Sequence, residues 1–310
     1  MRKYSKLHIY FILSVISVAS ILFIGCSDGE KGAIEEIHPI TVVDALGREL
    51  IFETVPQKIA TISPTATEIL YSVEGTSILR DRSSNFPDEV RELPHVGSAY
   101  DPSIEALVKE KPDLVIIEAL TQARFASILG QSGLKVMAVK AETIDEIKEY
   151  MLKVGKLIGK EELASEKISG IEARLSDLGS FDDRSILILI SDQDRNLYAA
   201  KPESYSGLIP EALGMKNKAE GLPDSGPYPG FSMMSTEAIL VANPEVIVTI
   251  TPAPKPAPRL STTIAQIPPF SKLTAVQNGN VIEADVALFL QAPGPRIVEA
   301  IEFLKSALTK

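Results

Sequence analysis

Two carboxylates placed where helical patterns begin offer this chain its clearest prospects for polar recognition. Ser63-Pro64-Thr65-Ala66-Thr67-Glu68 and Phe231-Ser232-Met233-Met234-Ser235-Thr236-Glu237 share one layout, a Thr-Glu pair opening a helix, one in each half of the sequence. Each half then carries a Pro-acid-apolar strand, Lys111-Pro112-Asp113-Leu114-Val115-Ile116-Ile117 and Asn243-Pro244-Glu245-Val246-Ile247-Val248. A carboxylate at a helix start is favoured by the helix dipole, stays ionised, and can form an oriented pair with a guanidinium. The same position equally suits an ordinary helix-opening acid with no partner. The repetition predicts two similar α/β lobes that grip something between them. Glu68 and Glu237 would then present matched acids to a symmetric partner.

Enzymatic chemistry finds little to work with. The sequence holds no Gly-x-Ser-x-Gly elbow, no Gly-x-x-x-x-Gly-Lys-Ser/Thr loop and no His-Glu-x-x-His pair. Gly130-Gln131-Ser132-Gly133 lies between a helical and a strand pattern, where a turn is expected. Of the three histidines, His8 and His38 precede the folded region, which leaves His95. One histidine supports neither a catalytic triad nor an imidazole-carboxylate metal cluster. The expectation is a non-enzyme with no catalytic residues, resident cofactor or metal.

Binding groups are more plentiful. Ser84, Asn85, Phe86, Tyr100, Asp192, Tyr198, Tyr228, Phe231 and Phe289 fall on segments that follow strands. Aromatic faces with a few hydroxyl, amide or carboxyl groups suit a large, near-neutral macrocycle. Each aromatic equally suits core or loop packing. An anionic siderophore would instead favour converging arginines, and Arg82, Arg195, Arg259 and Arg296 lie in candidate loops. Arg296 alternatively braces the last helix.

The elements that must position these groups alternate. A hairpin spans 40–52, with Gly47 at its turn. Strands at 58–62, 77–79, 113–118 and 135–139 are interleaved with helices at 65–73, 101–110 and 122–131, followed by one over 144–159. A helix over 161–178 would run about 27 Å, enough to cross between lobes while permitting only small lobe motions. The second lobe restarts at 185–190, continues with helices at 205–213 and 236–241, a strand at 245–250, a helix at 264–267 and a strand at 280–283. It closes with a helix at 296–308. This order predicts an α/β fold: two Rossmann-like lobes with mostly parallel sheets, joined by a single long helix, with a ligand cleft between them. Pro252, Pro254, Pro256 and Pro258 make 251–258 an extended loop, either a stiff surface excursion or part of the cleft rim.

The N-terminus sets the compartment. Arg2, Lys3 and Lys6 precede an apolar run from Ile9 to Ile24, shorter than the roughly 20 residues a spanning helix needs. Phe23-Ile24-Gly25-Cys26 follows, and it resembles a bacterial lipobox. The expected organisation is a signal peptide over 1–25, a lipidated tether over 26–39, an N-terminal lobe over 40–160, a linker helix over 161–180 and a C-terminal lobe over 181–310. Cys26, the only cysteine, would carry the lipid and anchor the protein extracytoplasmically to the bacterial cell membrane. Removing Arg2, Lys3 and Lys6, and no acid, takes the net charge from −10 to −13, a balance that argues against nucleic acid as a partner.

Taken in order, Ile62–Glu68, Asn85-Phe86-Pro87, Val96-Gly97-Ser98, Pro102–Leu107, Lys111–Val115 and Pro293-Gly294-Pro295-Arg296-Ile297-Val298 resemble one known pattern. It is that of the substrate-binding proteins of bacterial ABC importers for cobalamin and iron complexes, the class III periplasmic binding proteins. The resemblance covers residues 40–308. It implies a monomer that captures a small molecule between two lobes and delivers it to a dimeric permease, whose arginines would meet Glu68 and Glu237. Asn85-Phe86-Pro87 and Asp101-Pro102-Ser103 are most similar to cobalamin-type members, so a corrinoid is the first ligand implied. The chain has no tryptophan, where those members often place one in the cleft. Tyr100 corresponds to a tyrosine ligand in haem-binding relatives, so haem or an iron siderophore is the second. A sensor or scavenger without a transporter is a third reading.

Overall fold

The computed structural model describes residues 39–179 and 182–309, so the expected signal peptide, the lipid site at Cys26 and nearly all of the tether lie outside the described residues. The chain from Pro39 onward forms one compact unit built around two sheets.

The first lobe begins with the predicted hairpin, β1 (Ile40–Val43) against β2 (Glu49–Phe52). Next come β3 (Ile59–Thr61), α1 (Pro64–Ser72), the short ribbon β4 (Gly97–Ser98) and β5 (Asp101–Pro102), α2 (Ile104–Glu110), β6 (Leu114–Glu118), α3 (Ala119–Gln131), β7 (Val136–Val139) and α4 (Ile144–Leu157). Strands β3, β6 and β7 pair in parallel in that order, and Leu79 adds a bridge to Ala60 on the β3 side. Leu114–Ile117 and all of β7 are buried, the unbroken apolar run of a sheet covered on both faces.

Local chemistry sets the helix starts. Ser63 caps α1 by accepting from the Ala66 amide, and Pro64 occupies the first turn. Thr143 and Glu146 form a reciprocal capping box on α4. Glu118 ends β6 and accepts from the Leu120 and Thr121 amides, turning strand directly into α3.

Helix α5 (Glu161–Leu178) packs against α4 at one end and α10 (Ile297–Leu308) at the other. The tight entry needs Gly155, since a Cβ there would lie 2.5 Å from that of Ala164. Near its far end, Arg174 forks onto Glu302.

The second lobe contains β8 (Ser185–Ser191), β9 (Leu197–Ala200), α6 (Tyr205–Glu211), β10 (Lys216–Asn217), β11 (Phe231–Met234), α7 (Thr236–Ala242), β12 (Val246–Ile250), α8 (Leu260–Ile264), α9 (Thr274–Gln277), β13 (Val281–Ala284) and then α10. Its sheet runs β11-β9-β8-β12-β13, with β10 also beside β8. Ile186–Ile190 on β8 are fully buried, each aliphatic side chain contributing about 1.5–3 kcal/mol.

Several features depart from the sequence expectation: Asp101–Pro102, expected to open a helix, form β5, and the strand expected at 77–79 is reduced to the single Leu79–Ala60 bridge. β9 and β11 form an antiparallel ribbon on the sheet's edge, absent from the predicted order because Leu197–Ala200 and Phe231–Met234 carry neither alternation nor turn signals of their own. The helix expected at 264–267 instead occupies Leu260–Ile264, beginning immediately after the proline run. Residues 251–258 are irregular, as their prolines require, and the Arg259 guanidinium donates to the Ala253 and Ala257 carbonyls.

Candidate functional site

The unexpected ribbon carries the most coherent group of binding side chains. Tyr198 on β9 donates its hydroxyl to Asp192 Oδ2 at 2.9 Å, and Asn196 donates to the same carboxylate through its amide and side chain. Those donors, with Asn196 first, hold Asp192 below the usual carboxylate range. The Tyr228 ring meets Tyr198 edge-on at 5.3 Å and Phe231 at 6.1 Å. Gly226 makes this possible: a Cβ there would lie 2.2 Å from the Tyr198 ring. Tyr100 of the first lobe is 67 % exposed and lies within electrostatic reach of Tyr228. Burial, then Asp192 and Tyr100, push the Tyr228 phenol up.

Of the predicted binding residues, the fold thus gathers Asp192 and Tyr228, with Tyr198 buried behind them at 4 % exposure and Tyr100 within electrostatic reach of Tyr228. Phe231 is buried and backs Tyr228. Phe289 belongs to the core, edge-on to Phe303, and is removed from the candidate wall. Ser84 is also buried: its hydroxyl accepts from Thr67 and donates to Asp81. Asn85 is exposed and bonds the Ser83 carbonyl of its own loop. Phe86 lies over the Arg296 guanidinium, 3.9 Å from ring centre to Cζ.

Two of the four candidate arginines are committed to partners away from Asp192 and Tyr228. Arg259 is bound to the proline loop and Arg296 to Glu68. Among the described residues, no cluster of three or more His, Cys, Asp or Glu side chains could hold a metal.

Glu68 overturns the matched-acid expectation. Its side chain is only 4 % exposed, and both oxygens accept from Arg296, with Nε–Oε2 at 2.8 Å. Burial pushes its carboxyl up to about 7, while the Arg296 hydrogen bonds and charge pull the other way. It does not stand free at the surface to meet a partner. Glu237 does: it is exposed, and its own amide followed by the Ser235 hydroxyl hold it below the usual range.

The structural counterpart of Glu237 is Glu105. Ser103-Ile104-Glu105-Ala106 and Ser235-Thr236-Glu237-Ala238 open α2 and α7 identically, each serine accepting from the alanine amide. Both helices end on a left-handed residue, Lys111 or Asn243. Both are followed by an acid that ties down the start of a neighbouring parallel strand, β3 or β8. Asp113 accepts from the Gln57 and Lys58 amides, and Glu245 from the Ser185 amide and hydroxyl. Glu105 is exposed like Glu237. Extending the comparison seven residues upstream of Pro112 and Pro244 would have revealed this register in the sequence.

Other contributors had no local signal. Buried Gln122 donates to the Ile62 and Ala99 carbonyls, fixing the loop that carries Tyr100 to the end of β3. Arg124 donates to the Tyr100 carbonyl.

Comparisons with known proteins agree with this architecture. A Bacillus subtilis protein, the uncharacterized ABC transporter substrate-binding lipoprotein YvrC, is 23 % identical over 96 % of both chains. The cobalamin-binding protein of Halobacterium salinarum is 25 % identical over 87 % of this chain and 74 % of its own. The crystal structure of the petrobactin-binding protein YclQ from Bacillus subtilis superposes with a TM-score of 0.78 at 19 % identity, covering 88 % of this chain and 99 % of that one. Among the described residues, no helix is long and apolar enough to cross a membrane. Residues 59–288 match the family described as periplasmic binding protein, and the chain belongs to that family of solute-binding proteins.

Proposed function

We propose that this chain is the lipid-anchored substrate-binding protein of an ABC importer and that its cargo is a corrinoid. The observation carrying the ligand assignment is the half-buried Tyr228 ring beside the Asp192 carboxylate, braced from behind by the buried Tyr198, with the exposed Tyr100 of the other lobe within electrostatic reach. Flat aromatic faces and a few polar groups fit a corrin ring and its amide periphery. The occupation of Arg259 and Arg296 elsewhere makes an anionic siderophore the weaker fit. The cobalamin-binding relative supports the same assignment. The exposed Tyr100 phenol favours haem as the second reading, because it leaves an oxygen available to a ferric centre.

In this reading, residues 40–160 and 181–310 are the gripping lobes, 161–180 joins them, and Cys26 carries the lipid at the outer face of the membrane. Docking falls to Glu105 and Glu237, exposed first-turn acids on corresponding helices, and each would pair with a permease arginine.

An absorbance titration of the chain from Ser27 onward, with cyanocobalamin, ferric hydroxamate and haem in parallel, tests the cargo. Saturable binding of the corrinoid is expected; binding of an iron complex alone would replace it. Glu105→Arg and Glu237→Arg should each lower uptake about tenfold, as expected from reversing one charge of a docking pair, with ligand affinity unchanged. Normal uptake in both variants would remove these acids from docking.

A further inference from the structure

We propose that the Glu68–Arg296 pair is an interlobe latch that sets the width of the ligand-free cleft. This deepens the transport reading by naming what controls the site's opening. Glu68 stands on α1 of the first lobe, and Arg296 immediately precedes α10 of the second, 228 residues away in sequence. The guanidinium engages both carboxylate oxygens, a geometry that fixes orientation as well as distance. The side chains are 14 % and 4 % exposed, against 46 % and 41 % for Arg174–Glu302, so solvent and salt screen the latch far less. A buried pair of this kind adds little net stability over a well-packed apolar alternative, yet removing one partner is costly because it strands the other.

The surroundings hold each half in place. Arg80 donates to the carbonyls of Asp81, Arg82, Ser84, Arg91 and Leu93, pinning the loop that lays Phe86 over Arg296. Gly294 passes directly over Glu68, its ideal Cβ position 3.8 Å from that of the acid. Beside the pair, a cavity of about 440 Å³ opens between Tyr71, Phe86 and Pro87 of one lobe and Pro295 of the other. This gap gives water a route to the two charges once the lobes part. The buried Tyr205 hydroxyl, on the second lobe, lies beside the Gly294 backbone and within electrostatic reach of both charges. Parting of the lobes would let it hydrate.

Spin-label distances between Lys109→Cys and Val241→Cys, exposed positions on α2 and α7, test the latch. The chain from Ser27 onward keeps the whole compact unit and lacks the sole native cysteine. With no ligand added, Glu68→Gln should broaden the distribution and shift its mean by about 2 Å or more, the scale of a lobe rearrangement. Arg296→Lys keeps the charge but loses the fork, and should give a smaller change in the same direction. It also decides the matter if Glu68→Gln fails to fold. Widening in either folded variant is the expected result; distributions that superimpose on the parent in both overturn the latch. A protein that ignores corrinoids yet widens here would fail only the ligand assignment.

Discussion

Two pairs of corresponding helices in the two lobes behave in opposite ways. Helices α2 and α7 repeat each other in cap, exposed acid, left-handed end and trailing carboxylate clamp. Helices α1 and α6 share only their serine caps, Ser63 and Ser204, each accepting from the amide three residues on. Five residues beyond the cap, α1 carries Glu68 and α6 carries Ile209, and both are buried. The repeated pair preserves what both lobes need in common: a start for a neighbouring parallel strand and an acid on the surface. The divergent pair shows where one lobe meets the other. A helix of this type accepts an aliphatic side chain at the buried position, so Glu68 reflects its partner across the lobes rather than the demands of the helix.

The most severe way to break this comparison is to give α6 the acid of α1. Ile209→Glu buries a carboxylate with no guanidinium to meet it and should cost about 3–5 kcal/mol, the scale of an uncompensated buried charge. Urea unfolding measures this, and a loss below about 1 kcal/mol, the size of an ordinary surface change, would show that α6 can provide what α1 provides.

A second prediction sharpens the contrast through pH. Burial pushes the folded Glu68 carboxyl up to about 7, against 4.5 ordinarily. Between those values the folded chain holds a proton that the unfolded chain has released. This group's contribution to stability is therefore complete below 4.5 and is lost as the pH rises through about 7. The parent should lose stability relative to Glu68→Gln as the pH rises from 4.5 to about 7 and run parallel to it above that. Equal slopes in chemical denaturation would contradict the burial of this charge.

The smallest effect tests the sameness of the repeated pair. Ser103→Ala and Ser235→Ala each remove one cap and should each cost about 1 kcal/mol. Unequal losses would mean that the two helices carry different loads despite their shared pattern.

What the sequence made legible follows the range of the interactions involved. Pro112-Asp113 and Pro244-Glu245, with the apolar runs after them, were enough to place the central strands, because burial on both faces writes itself into consecutive residues. Tyr198, Tyr228 and Asp192 were identifiable as binding types, but the antiparallel ribbon that assembles them was not. The helix-start position of Glu68 is a local signal that points to the surface, while the arginine that draws it inward lies in the last segment of the chain. Phe289 and Ser84 turn inward for an equally hidden reason: residue type does not reveal which side of a strand-following segment faces the core.

The hairpin at the chain's entry has a bearing on how copies of this protein tolerate one another. β7 is the outermost strand of its parallel sheet and would offer a bare row of peptide groups to any passing chain. The segment Asp44–Arg48 occupies that row. The Ala45 amide takes the Ala138 carbonyl, the Asp44 carboxylate takes the Ala138 amide, and the Arg48 guanidinium takes the Val136 carbonyl. Two side chains and one amide thus imitate a neighbouring strand without supplying one, and the sheet ends in a plug that another molecule cannot extend.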